Sequence, residues 1–102
     1  MRSIKGIVED IREELEGAEK YAKRAAHNKG SDDGLAAMYA EMAQQELTHA
    51  DKLHGRAVEM IKKHRMEHGE PPAAMLAVWE WEHEKMNEQA AKIKSMIDMA
   101  RK

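Results

Sequence analysis

The chain has 102 residues with 17 basic and 19 acidic side chains, a formal charge of −2 and no cysteine. That length suits one domain with a thin core. The missing thiols exclude disulfides, zinc fingers, thiolate-held iron and thiol nucleophiles, so a metal would be held by carboxylate and imidazole alone. No stretch approaches 18 apolar residues and the basic residues are mixed with acidic ones, so neither a membrane span nor nucleic acid is an expected partner.

Charged residues at 35%, four per cent aromatics, two prolines and six glycines favour helix over sheet. Breakers divide residues 1–102 into three helices within one domain. The first runs from about Ser3, a candidate N-cap, to about Asn28, where Lys29 to Gly34 offers a stop and a new cap. The second covers about 33–67 and ends at His68-Gly69-Glu70-Pro71-Pro72; the third covers about 72–101, with proline suited to its first turn. The first residues, Met1 to Val8, carry charge at Arg2 and Lys5 and no apolar stretch of signal-peptide length, so the expected compartment is the cytoplasm.

Each helix carries an apolar stripe with 3,4 spacing, the pattern of a packed bundle. In the first it reads Ile4, Ile7, Ile11, Glu14, Ala18, Tyr21, Ala25; in the second Leu35, Tyr39, Met42, Glu46, His49, Leu53, Arg56, Met60; in the third Leu76, Trp79, His83, Met86, Ala90, Ile93, Ile97, Ala100. Glu14, Glu46 and His49 therefore interrupt stripes expected to be core. An ionised carboxylate buried without a partner costs several kcal/mol, so these positions need an ion pair, a hydrogen bond or a metal.

Their heights agree. Glu14 lies 17 residues before Ser31, and Glu46 and His49 lie 15 and 18 after it; in an antiparallel hairpin with a rise of about 1.5 Å per residue all three share one level. The third helix offers only Ala90 and Ile93 there, and His83 falls level with Ala57, about 12 Å along the axis. What remains is one Glu and one Glu-x-x-His, half of the carboxylate–imidazole set that holds two irons in some four-helix bundles. A homodimer about a two-fold axis would complete it. Glu46 would bridge the irons and His49 would cap one, leaving a position for dioxygen or peroxide. Tyr21, one heptad beyond Glu14, is placed to hydrogen-bond a ligand carboxylate or to donate an electron.

The segment Glu13-Glu14-Leu15-Glu16-Gly17-Ala18-Glu19-Lys20-Tyr21, followed by Glu46-Leu47-Thr48-His49, resembles the rubrerythrin-like ferritin superfamily, most closely the short half-ferritins of the encapsulated ferritin type. The likeness covers about Ile7 to His54. It implies an all-α fold, a ferritin-like half bundle of two long antiparallel helices, here with a third helix added, that forms a four-helix di-iron bundle by dimerisation. It also implies Glu14, Glu46 and His49 as ligands and oxidation of Fe(II) by dioxygen or peroxide. The sequence departs from that family in lacking a rubredoxin-like cysteine segment, so peroxidase turnover would need an external electron donor. Met99-Ala100-Arg101-Lys102 does not resemble the cargo tag of encapsulin partners, which speaks against an encapsulin shell.

Plainer readings stand beside these. Glu-x-x-His also occurs at Glu80/His83, where it reads as structural, and Glu16 or Glu19 could replace Glu14 after a modest helix rotation. Asp51 and His54 read as solvated, the nine methionines as packing, and the two tyrosines as packing if no site exists. Zinc or manganese could occupy the same ligands. The competing reading of the whole chain is a non-enzymatic, spectrin-like three-helix interaction module, monomeric and without metal.

Overall fold

The computed structural model describes residues 2–102, with side chains from Ile4 onward. Its elements are α1 (Arg2–Asn28), α2 (Asp33–His68) and α3 (Ala73–Arg101), with no strand among the described residues. The observed ends differ from the expected ones by one residue. Helix α1 already includes Ser3 in its first turn, so Ser3 does not precede the helix as a cap, and its side chain lies outside the described residues.

Local chemistry explains the two turns. Gly30 takes a positive φ of 89°, and its N–H donates to Asp33 Oδ1 at 2.8 Å. Asp32 caps α2, its Oδ1 accepting from the Leu35 N–H at 3.0 Å. At the far end Gly69, with φ 78°, closes α2 through its N–H to the Arg65 carbonyl, and Pro71-Pro72 prevents continuation.

The contact between α1 and α2 is built on small side chains. Ala18, Ala22 and Ala25 of α1 meet the stripe Ala36, Ala40, Ala43 and Ala50 of α2, all buried, with Ile11, Leu15 and Leu47 filling the gaps. This corrects the expected stripe on α2. Tyr39, Met42, Glu46 and Leu53 are only half-buried and His49 is exposed, whereas the buried row lies roughly 60–100° round the helix. No charged or polar residue is buried among the described residues. The expected stripe on α3 does face inward, with Met86, Ile93 and Ile97 buried.

Helices α1 and α2 are antiparallel, and α3 lies parallel to α1 against one side of the hairpin. Arg12 pairs with Glu82 at 2.9 Å, Lys92 with Glu19 at 3.0 Å, and Lys29 donates to the Met99 carbonyl. Arg12 and Glu19 each sit two residues from Glu14 and Tyr21 respectively, about 200° of helical turn. The α1 face bearing Glu14 and Tyr21 is therefore directed away from α3. The molecule measures 55 × 18 × 18 Å, and among the described residues no helix is long and apolar enough to cross a membrane.

The alanine contact leaves no room for larger side chains. Ala22→Leu is expected to lower stability by about 1–3 kcal/mol, read from the urea midpoint, because added methylenes would force the two helices apart. An unchanged midpoint would show that the contact is loosely packed.

Candidate functional site

Glu14 of α1 and Glu46 and His49 of α2 each offer a ligand atom within 4.8 Å of the other two. Close approach of the alanine-lined helices brings them together. Glu46 leans across onto α1 at Gly17, where a Cβ would stand 3.3 Å from Glu46 Oε2. A helix-interior glycine costs about 1 kcal/mol relative to alanine, and here the missing side chain makes room for the carboxyl.

The electrostatics of the group are strained. A hydrogen bond with Glu14 raises the Glu46 pKa above the ordinary carboxylate value; partial burial and the Glu14 charge act the same way, and His49 opposes them. His49 Nδ1 stands 3.4 Å from Glu14 Oε2, beyond good hydrogen-bond range. Glu14 Oε2 is sealed from solvent without a hydrogen-bond partner. The His49 side chain is 54% exposed and that of Glu14 28%, so the group opens on the hairpin face remote from α3. A sealed acceptor, two adjacent carboxyls and an accessible imidazole suit a divalent cation by ligand type.

Among the first-helix acids only Glu14 joins the group. Glu16 is exposed, and Glu19 is turned to Lys92 of α3. Tyr21 makes no hydrogen bond to the three ligands; its ring stacks on Tyr39, centroids 6.0 Å apart and planes inclined by 18°. Tyr39 precedes Glu46 by seven residues as Tyr21 follows Glu14 by seven, so the tyrosine pair forms the next layer toward the α1–α2 turn. Gly17 and Tyr39 were not expected at the site. An unexplained glycine within a strongly helical segment is the signal that marks the first.

A second cluster lies on the opposite side of the hairpin, beneath α3. His54 is not solvated as its sequence context implies. It stacks on His83, centroids 4.7 Å apart and planes 11° apart, and Trp79 stacks against both. The fold brings His83 to His54 and not to Glu46, as the height comparison implies, and Glu80 is exposed and takes no part. Parallel rings direct their nitrogen lone pairs into parallel planes, so this pair does not converge on one ion. Burial and the His83 charge lower the His54 pKa, Asp51 acting the other way, and His54 Nε2 is buried without a partner.

No protein-family model, curated protein or solved structure matches the chain. The chemistry of the site is therefore read from its own residues.

The lowered His54 pKa has a defined effect on stability. A histidine that binds its proton less readily folded than unfolded stabilises the fold fully above its unfolded pKa, near 6.5, and loses that contribution as the pH falls through the folded value. Stability is expected to drop between pH 7.5 and 5.5, and His54→Phe, which keeps an aromatic ring in the stack, is expected to lose part of that drop. Urea denaturation at the two pH values checks it; identical drops in both proteins would contradict it.

Proposed function

We propose that the chain provides half of a carboxylate-bridged iron site and, as a homodimer, oxidises Fe(II) with dioxygen or peroxide for iron storage or detoxification. The observation that carries this reading is the convergence of Glu14, Glu46 and His49 on an open face. Three ligands leave an iron under-coordinated, whereas two copies about a two-fold axis supply four carboxylates and two imidazoles, the set of ferritin-like di-iron bundles. Four negative charges balance two Fe(II) ions. The half-buried Ile7, Tyr21, Tyr39, Met42 and Leu53 flank the ligands on the same face and would give the two-fold contact its apolar area.

Iron enters this scheme as substrate. Glu46, already close to Glu14, would bridge two ions, and protons compete with metal for the carboxyls and the imidazole, so uptake weakens as the pH falls. Glu14 Oε2 gains the partner it otherwise lacks. His49 binds from the rim as neutral imidazole. Each Fe(II) gives one electron, so a pair reduces one peroxide to two waters with two protons, and the adjoining carboxyls are the nearest groups to relay them. Resemblance to the encapsulated-ferritin type of half-ferritin is consistent with this assignment.

The test is anaerobic Fe(II) titration followed by exposure to air, with ferric absorbance as the readout. Wild type is expected to bind iron tightly and oxidise it. Glu46→Ala is expected to lose both while keeping its helicity and an equal or higher urea midpoint, because a strained carboxyl has been removed. Gly17→Ala is expected to gain up to about 1 kcal/mol in stability and to bind iron more weakly, by displacing Glu46. Iron binding unaffected by either change would place the iron elsewhere and overturn this site, and absence of iron binding in wild type, or loss of folding in Glu46→Ala, would favour the metal-free interaction module.

A further inference from the structure

An apolar groove of about 380 Å³ opens at the end of the molecule where α1 and α3 begin, far from the acidic cluster. Ile4 and Val8 of α1, Ile61 of α2, and Leu76, Val78 and Trp79 of α3 line it. It lies where α2 has given way to Pro71-Pro72 and where α3, before its first buried residue Met86, touches the hairpin through Trp79, Glu82 and His83. Val78 is 62% exposed and Met75 44%, so the walls present apolar surface that this chain alone does not cover. Pockets of this size and lining are the usual form of small-molecule sites.

Among the described residues two charged side chains border the groove. Glu82 is neutralised by Arg12 at 2.9 Å. Lys5 has no ion-pair partner among the described residues, so the mouth carries one uncompensated positive charge. An apolar trough with a single ammonium at its rim complements an amphiphile with an anionic head. The volume holds roughly a dozen methylenes, taking each as about the 30 Å³ that one water occupies in the liquid. A second copy of the chain is a poorer fit, since a stable interface needs about 800 Å² from each partner, and this groove is narrow and concave.

We propose that this groove binds a free medium-chain carboxylate, its alkyl chain lying between α1 and α3 and its head paired with Lys5. The site is independent of the acidic cluster and lies on the side of the hairpin that α3 covers. Trp79 forms part of the wall, and Trp81 is the chain's other tryptophan, so ligand entry is reported optically.

Dodecanoate, kept below its micellar concentration, is titrated into the full chain carrying Trp81→Phe, with Trp79 fluorescence and calorimetry as readouts. The expected result is saturable binding of one molecule per chain. Lys5→Gln is expected to weaken dodecanoate at least tenfold and to leave dodecanol unchanged, and Val78→Asp, at an exposed position that the fold tolerates, is expected to weaken both. The proposal is overturned by absence of saturation, by equal dodecanoate affinity in wild type and Lys5→Gln, or by unaltered binding in Val78→Asp. It is also overturned if the protein ignores dodecanoate but is retained on phosphatidylglycerol vesicles, or if Val78→Asp lowers the assembly mass of a protein that does not bind dodecanoate; those results would assign the groove to a membrane surface or to a second copy.

Discussion

Two carboxyls and an imidazole stand within 4.8 Å of one another because two helices pack through alanines, and most features of this molecule follow from that contact. Alanines at 18, 22 and 25 on α1 and at 40, 43 and 50 on α2 form one buried cluster, and small side chains at a contact allow close helix packing. Across that contact Glu46 reaches α1 and meets no Cβ at Gly17, and its proximity to Glu14 raises its pKa. A less tightly packed hairpin would let the two carboxylates separate into water, at little cost and with no metal-binding geometry. The strain thus belongs to the same contact that supplies most of the core, which is why it persists.

The third helix leaves this group accessible. Its pairings, Glu82 with Arg12 and Lys92 with Glu19, attach it to the side of α1 opposite Glu14 and Tyr21. The hairpin consequently has one covered face, containing the His54–His83–Trp79 stack, and one open face, containing the ligands and a half-buried row of large side chains. The proposed division of labour is that one face makes the iron site by self-association and the other stiffens the half bundle and provides the apolar groove at its end.

The three helices were legible because their ends are written in residue chemistry: Asn28 to Gly34 and Gly69 to Pro72 leave little choice of boundary. Height along the helices was legible too, since rise per residue is nearly invariant, and it placed Glu14, Glu46 and His49 together and His83 elsewhere. The rotational phase of α2 was not. Tyr39, Met42 and Leu53 attract attention as core by their size, yet the buried row consists of alanines, because close approach rewards small side chains rather than large ones. His54 was misjudged for the same reason, since it lies on the alanine side that α3 covers. The groove had no signature at all: Ile4, Ile61 and Trp79 come from three helices, and nothing local relates them.

The central claim is that one chain holds half of an iron site. Its most direct test is iron content per chain after anaerobic Fe(II) loading and desalting, with the assembly mass measured on the same sample. About one tightly held iron per chain in an even-numbered oligomer is the predicted result. A clean monomer that retains no iron would contradict the claim and leave Glu14, Glu46 and His49 as a strained surface cluster on a three-helix interaction module.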